Sequence, residues 1–445
     1  MSERNRTYRW LAEAAAAAPE RMAVYEPGLA PLTYGELAER AGAAAPALRE
    51  QRGCVELELA PGIAHAVAVH AALLAGRPAL TIRPGLPQAE RNAVLAAARS
   101  EDPPPGTAAR VLSSGTSGGR RSIDLTFANF EASAAASAAN LGADEDDVWL
   151  ACLPMDHVGG LSILIRSAIY RSAALIHPRF DARAVAASLA ASSPGVTAIS
   201  LVPTQLARLL DAGADFSRLR FALIGGAPLS SGLLERALDA GVPLAATYGL
   251  TEACSQVTTL PPPEARARAG SSGRPLPGVE VRIGRAERIE VRGPTVAPGA
   301  AGADGWLRTG DIGRLDADGY LWVEGRADDL IVTGGENVRP EPVEDRLRQH
   351  PAVADAAVVG APDPEWGQAV VAFVQPERPG DPRNRVSEGR SHVVSGESLA
   401  GELIGHCRET LPPAAVPKRI EIVDSLPRTA SGKLQRARLR APLGR

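Results

Sequence analysis

The chain has 445 residues, 45% of them apolar, with Lys+Arg 48 set against Asp+Glu 51. That length allows two to four domains of ordinary size, and the near balance of charge excludes wholesale disorder and a general nucleic-acid binder. No run of ~18 apolar residues predicts a membrane span, the opening MSERNRTYRW is not a basic-then-apolar leader, and the four scattered cysteines form no CxxC pair. A cytoplasmic protein without membrane insertion is the expectation.

In chain order, the Ala-rich segments Leu11–Ala18 and Glu36–Ala45, the apolar run Ala66–Leu74 and the segment Asn92–Arg99 read as helices. Short β-branched or apolar runs follow at Ala108–Leu112, Val148–Leu153, Ala173–Ile176, Ala198–Val202, Arg220–Ile224 and Pro243–Thr247. Helical patterns at Ala182–Ala191, Thr204–Asp211 and Ser230–Ala240 lie between them. Strand–helix–strand alternation with short connections predicts an α/β fold with a parallel sheet. From Gly278 to Val323 short strands between Gly/Pro turns predict a β-rich subdomain. A hinge is expected at Arg326–Asp329, followed by a small α+β unit: helix Glu341–His350, strands Val353–Val359 and Val370–Val374, helix Ser398–Leu411 and a last strand. The polar stretch 376–397, rich in Pro, Arg and Ser, reads as a loop within that unit.

Several segments carry chemistry. After a candidate strand comes Ser113-Ser114-Gly115-Thr116-Ser117-Gly118-Gly119-Arg120-Arg121. Small residues let backbone N–H groups approach and cradle an anion, and the hydroxyls and arginines suit polyphosphate. The same letters match the G-x-S-x-G elbow of serine hydrolases, which needs a helix directly afterwards; here Ser122–Thr126 reads as extended. Tyr248-Gly249-Leu250-Thr251-Glu252 offers an aromatic face, a hydroxyl and a carboxylate able to ligate Mg²⁺. Gly225-Gly226 is a second glycine turn after a strand. Asp311 follows a glycine turn and suits the vicinal diol of a ribose, with Arg326 as a further diol or phosphate partner. Each of these, alone, is also consistent with an ordinary solvated turn. The chain holds only two lysines, Lys418 and Lys433. A lysine retained among so many arginines suits a compact point charge, and Lys433 ends the flexible turn Pro427-Arg428-Thr429-Ala430-Ser431-Gly432.

Taken together and in this order, the segments resemble the adenylate-forming superfamily of acyl-CoA synthetases, luciferases and peptide-synthetase adenylation domains. Within it, Leu153-Pro154-Met155-Asp156-His157-Val158-Gly159-Gly160, Val202-Pro203-Thr204-Gln205-Leu206 and Tyr248 through Thr259 are similar to the o-succinylbenzoate–CoA ligase branch. The resemblance implies an N-terminal domain, 1–326, and a mobile C-terminal domain, 327–445. It implies ATP, Mg²⁺ and coenzyme A acting with a small carboxylic acid. Ser113 through Gly118 and Arg121 would hold the β- and γ-phosphates. Gly225, Gly226 and Tyr248 would border adenine; Thr251 and Glu252 would serve phosphate and metal; Asp311 and Arg326 would bind ribose. Asp328 would be the hinge, Lys433 would bridge carboxylate and α-phosphate, and His157 would stand where the acyl and thiol sites meet. Arg166, Thr204 and Gln205 are candidates for a remote substrate carboxylate, Arg166 being otherwise a solvated helix residue. Arg120-Arg121-Ser122 departs from the usual Pro-Lys-Gly. A different acid, transfer to a carrier protein, a catalytically silent nucleotide binder and a homo-oligomer stay open on these residues.

Overall fold

The computed structural model describes residues 8–99, 101–114, 120–377, 396–429, 432 and 434–444. The alternation of strand and helix builds a nine-stranded sheet. Its order is Arg274–Pro275, Ser255–Leu260, Leu244–Leu250, Phe221–Ile224, Ala198–Leu201, Val148–Ala151, Ala173–Ile176, Met22–Tyr25 and Leu32–Thr33. The six strands from Leu244–Leu250 to Met22–Tyr25 run parallel, and the outer ones are antiparallel. Ala198–Leu201 and Phe221–Ile224 are buried at every position, as expected for parallel strands covered on both faces. Trp149 and Phe221 meet edge to face across this sheet, with ring centroids 5.2 Å apart.

A smaller sheet joins Val55–Leu57, Ala79–Thr81, Thr107–Ser114 and Arg120–Thr126. The β-rich segment forms an antiparallel sheet of Glu280–Ile283, Arg288–Arg292, Leu307–Leu315 and Leu321–Arg326. After Ala327–Asp329 comes a separate five-stranded sheet. Its long hairpin, Val353–Asp363 with Gly367–Pro376, is joined in parallel by Arg419–Ile422 and covered by the helices Pro340–Arg348 and Gly396–Arg408. Most of the polar stretch 376–397 lies outside the described residues.

The sequence reading lacks one helix and gives another, after His157, no bounds. Phe127–Leu141 is a fifteen-residue helix. The Thr126 hydroxyl accepts from the Asn129 amide at 3.1 Å, the Asn129 side chain accepts from the Thr126 amide at 2.9 Å, and Gly142 closes the helix at φ 67°. Val158–Tyr170 follows His157, with all positions from Gly160 to Ala168 buried. Among the described residues no helix is long and apolar enough to cross a membrane.

The fold carries one titration with a visible consequence. His70, buried on the helix Ile63–Leu74, is hydrogen-bonded through Nδ1 to the Tyr8 hydroxyl. Burial pulls its pKa from 6.5 to about 4. As pH falls below 6.5 the unfolded chain takes up a proton that the folded chain refuses. The contribution of His70 to stability is therefore complete above that value and declines towards about 4, by at most about 3 kcal/mol. Between pH 7 and pH 5 the urea unfolding midpoint of His70→Gln should therefore fall less, or rise more, than that of the wild type.

Candidate active site

Four of the motifs emerge at the same end of the parallel sheet. Leu153–His157 follows Val148–Ala151, Val202–Thr204 follows Ala198–Leu201, Gly225-Gly226 follows Phe221–Ile224, and Tyr248–Glu252 closes Leu244–Leu250. These are carboxyl ends of parallel strands, where open α/β sheets bind ligands. Val148–Ala151 lies between Ala173–Ile176 and Ala198–Leu201, so the chain reverses its winding there. His157 and Thr204 thus flank the crevice of a topological switch point.

Close backbone approach explains the glycines. A Cβ on Gly225 would stand 2.7 Å from Thr247 Cγ2 on the next strand, and Gly226 has φ 79°. A Cβ on Gly249 would overlap the Ser255 carbonyl oxygen, because the hairpin partner folds straight back after the turn Thr251–Ala253. Cys254 and Ser255 both take positive φ to make that return, at 51° and 92°. Two non-glycine residues in the left-handed region mark a turn held in place by its surroundings. At Gly160 a Cβ would strike the Pro154 carbonyl, so the helix start packs tightly on Leu153-Pro154 and sets His157 at its N-cap.

A buried network sits behind this turn. Arg166 is 2% exposed, which replaces the solvated helix face by a buried one. Its Nη1 donates to Gln256 Oε1 and its Nη2 to the Ser133 hydroxyl, each at 2.8 Å. Ser133 in turn donates to the Cys254 carbonyl at 2.8 Å, and Gln256 to Thr259 at 3.0 Å. Arg166 therefore ties the helix that starts at His157 to the turn carrying Thr251 and Glu252.

The antiparallel sheet adds a second set of groups. Asp311 and Arg326 are register partners on neighbouring strands, and Arg326 Nη1 donates to Asp311 Oδ1 at 3.1 Å. The other carboxylate oxygen accepts from the Tyr248 hydroxyl at 2.8 Å. Burial, then the Asp311 charge, pushes the Tyr248 hydroxyl well above its usual range, so it stays a donor. A side chain on Gly310 would push the Arg326 guanidinium away from Asp311. Tyr248, Asp311 and Arg326 are thus one contiguous group at the strand end. Asp156, next to His157, pairs with Arg83 at 2.7 Å, and the Thr81 hydroxyl holds the Met155 carbonyl at 2.7 Å; sequence reasoning gave no sign of either contact.

Ser113 and Arg121 are register partners on the hairpin Thr107–Ser114 and Arg120–Thr126, with Arg121 exposed. Gly115, Thr116, Ser117 and Gly118 lie outside the described residues, as does the side chain of Ser114. Because Arg120–Thr126 is a strand, the helix that a hydrolase elbow needs does not follow. Asp328 lies in the turn Ala327–Asp329. Lys433 lies outside the described residues, but its neighbour Gly432 is placed: a Cβ there would be 3.0 Å from Thr204 Oγ1 and 3.4 Å from Val202 Cγ2. The C-terminal turn therefore reaches the switch-point crevice.

Among the described residues no three His, Cys, Asp or Glu side chains gather as a metal site. Mg²⁺ commonly takes one or two carboxylates, with phosphates and water completing its shell. A single half-buried Glu252 at the strand end fits that donor set.

The sequence models of known families agree with this arrangement. That of the AMP-binding enzymes matches residues 99–302, and that of the AMP-binding enzyme C-terminal domain matches 342–433. A 2-succinylbenzoate–CoA ligase of Bacillus mycoides is 40% identical over 351 residues, covering 74% of this chain and 69% of that one. The o-succinylbenzoate CoA synthetase of Bacillus subtilis in complex with its acyl-adenylate intermediate superposes with a TM-score of 0.83 at 33% identity, over 98% of this chain and 99% of that one. The same enzyme with ATP and magnesium gives 0.84 at 33% identity, over 97% and 99%.

Proposed function

The chain belongs to the family of AMP-binding enzymes, and on that footing we propose that it is an AMP-forming acid–CoA ligase that activates o-succinylbenzoate as an acyl-adenylate. The observation that carries the reading is the meeting of the C-terminal turn at Gly432 with Thr204 and Val202, at the crevice bounded by the other motifs. That contact brings a lone lysine's flank to the carboxyl ends of the parallel strands.

We divide the chain into an adenylation domain, 1–326, and a C-terminal domain, 327–445. In the first half-reaction the substrate carboxylate attacks the α-phosphorus of ATP and pyrophosphate leaves. A carboxylate is a poor acylating agent, and the attached AMP gives it a leaving group. Asp311 and Arg326 hold the ribose, with Tyr248 fixing Asp311 from behind and, with Gly225-Gly226, bordering adenine. Ser113 to Gly118 and Arg121 take the β- and γ-phosphates, and Thr251 faces the phosphates. Glu252 would hold Mg²⁺, which would supply charge neutralisation to the polyphosphate. Lys433 balances charge on the attacking carboxylate and the α-phosphate.

In the second half-reaction the C-terminal domain turns about Asp328, the CoA thiol attacks the mixed anhydride near His157, and AMP leaves. Domain motions of this kind often set turnover. Thr204, at the crevice, is the candidate for the remote carboxylate of the acid; Gln205 Oε1 accepts from the Val202 amide at 3.0 Å and caps its own helix, leaving its Nε2 as the donor it could offer. Arg166, with both Nη atoms committed to Gln256 and Ser133, acts behind the turn instead.

The test is pyrophosphate release from ATP with a panel of acids, with and without CoA, reading the thioester by mass. Release with o-succinylbenzoate and formation of its CoA thioester is the expected result. Release with another acid only would keep the chemistry and discard this substrate. ATP binding without release from any acid would leave a nucleotide binder.

A further inference from the structure

The turn that approaches Thr204 is held on both legs by arginines. On the leading leg, Arg428 pairs with Asp355 and its Nη1 donates to the Gly432 carbonyl at 2.7 Å. On the trailing leg, Arg436 bonds both oxygens of Glu344 at 2.8 and 3.0 Å and Asp329 Oδ2 at 3.1 Å. The two legs also pair with each other, Arg428 bridging Leu434 and the Gln435 amide reaching the Pro427 carbonyl at 2.8 Å. Arg348 closes the circuit, 3.1 Å from Asp355 and 3.4 Å from Glu344. Asp329 takes a second arginine, Arg440, at 2.8 Å.

An unbroken chain of ion pairs thus runs Arg428–Asp355–Arg348–Glu344–Arg436–Asp329–Arg440. It starts at one leg of the turn, passes through the helix Pro340–Arg348, and ends beside Asp328. Its centre is shielded: the Glu344 side chain is 4% exposed and that of Arg436 is 12% exposed. Glu344 is also fixed by the Val358 amide at 2.8 Å. Glu341 stands 3.4 Å from Arg436. Burial, the larger effect, raises Glu341 to about 7 against the pull of Arg436. Exposed single pairs contribute little, whereas a shielded, forked network fixes geometry.

We infer that Arg436, Glu344, Arg348 and Arg428 are positioning residues that lock the two legs of this turn, Pro427–Arg428 and Leu434–Arg436, to the segment beside the hinge, so that rotation at Asp328 carries both legs together. The inference rests on the reading above, in which Lys433 serves the first half-reaction only. It predicts a split between the half-reactions that general damage to the fold would not produce.

The experiment compares Arg436→Met, Glu344→Gln, Arg436→Lys and the pair Arg436→Met/Glu344→Gln with the full-length wild type. Amide hydrogen exchange is read at Gly432 and Gln435, alongside both half-reactions. In Arg436→Met those two amides should exchange at least ~10-fold faster, as local opening becomes easier. Acid-dependent ATP–pyrophosphate exchange should lose ~10² in kcat, with ATP KM within about threefold, as expected when a catalytic group is mispositioned. Thioester formation from supplied acyl-adenylate should persist. Lysine should recover part of the loss, since one ammonium cannot span Glu344 and Asp329 as the guanidinium does. The double variant leaves no carboxylate of Glu344 uncompensated, and guards against simple misfolding of Arg436→Met. Its loss should be smaller than the sum of the single losses. Unchanged exchange at Gly432 and Gln435, or equal loss of both half-reactions, would overturn the inference. A wild type without pyrophosphate exchange would instead overturn the functional reading, while the amide measurement still decides the lock.

Discussion

Lys433→Ala is expected to lower acid-dependent ATP–pyrophosphate exchange by ~10²–10³, the usual cost of removing one preorganised donor from a developing charge. ATP binding should stay within a few-fold of wild type, because Asp311, Arg326 and the Ser113–Gly118 loop are untouched. No other lysine can take over: Lys418 lies over the Trp366 ring, its Nζ 5.0 Å from the ring centroid. Lys433→Arg should restore little. A planar guanidinium occupies more space than an ammonium and spreads its charge over a fork, whereas a point charge suits a site between two oxygens. Thioester formation from supplied acyl-adenylate should survive in both variants. Near-normal exchange in Lys433→Ala would falsify the role given to this lysine.

Gly249→Ala should be nearly as damaging, through backbone and not through lost charge. The added methyl has nowhere to go, because the Ser255 carbonyl occupies its place and is fixed by the return of the hairpin. The neighbouring Cys254 carbonyl is held by Ser133, which is held by Arg166. The strand Leu244–Leu250 must therefore separate from Ser255–Leu260 just where it carries Tyr248, Thr251 and Glu252. Overpacking of this kind typically costs ~1–3 kcal/mol. A displacement of ~1 Å in a positioned group can cost ~10² in rate. Urea denaturation should show a folded but weakened protein, and pyrophosphate exchange a fall of at least ~10². A variant with the stability loss but unchanged exchange would remove Thr251 and Glu252 from the site. Gly42→Ala is a useful control: Gly42 lies inside the helix Tyr34–Arg49, where alanine is readily accommodated, and a Cβ added there would meet no atom within 4 Å.

Much of the architecture is readable in the residues. The parallel strands are short apolar runs at Val148, Ala173, Ala198, Phe221 and Leu244, and the helices between them have apolar faces at helical spacing. Burial on both faces of such a sheet leaves that pattern little freedom. The helix Phe127–Leu141 is legible only at its ends, where Thr126 and Asn129 form its capping box and Gly142 its stop. Its Ala/Ser-rich interior gives a weak periodic signal, so the ends are the stronger cue. Met22–Tyr25 and Val55–Leu57 are harder, since strands of four and three residues depend on their sheet partners for identity.

The sequence alone determined the order of the chemical groups: the hydroxyl- and glycine-rich loop, the Tyr248–Glu252 segment, Asp311, Arg326 and the isolated Lys433. Those are properties of residue type and local backbone, and glycine, lysine and carboxylate have few substitutes for such tasks. The tertiary structure alone decided which of them meet. Tyr248 and Asp311 lie 63 residues apart along the chain and share a hydrogen bond. Gly432 reaches Thr204 across the two halves of the protein. Arg166, a solvated residue by its position on a helix, becomes a buried tie because two further elements close over it. Such contacts arise from the burial of distant apolar faces against each other, and no local pattern encodes them.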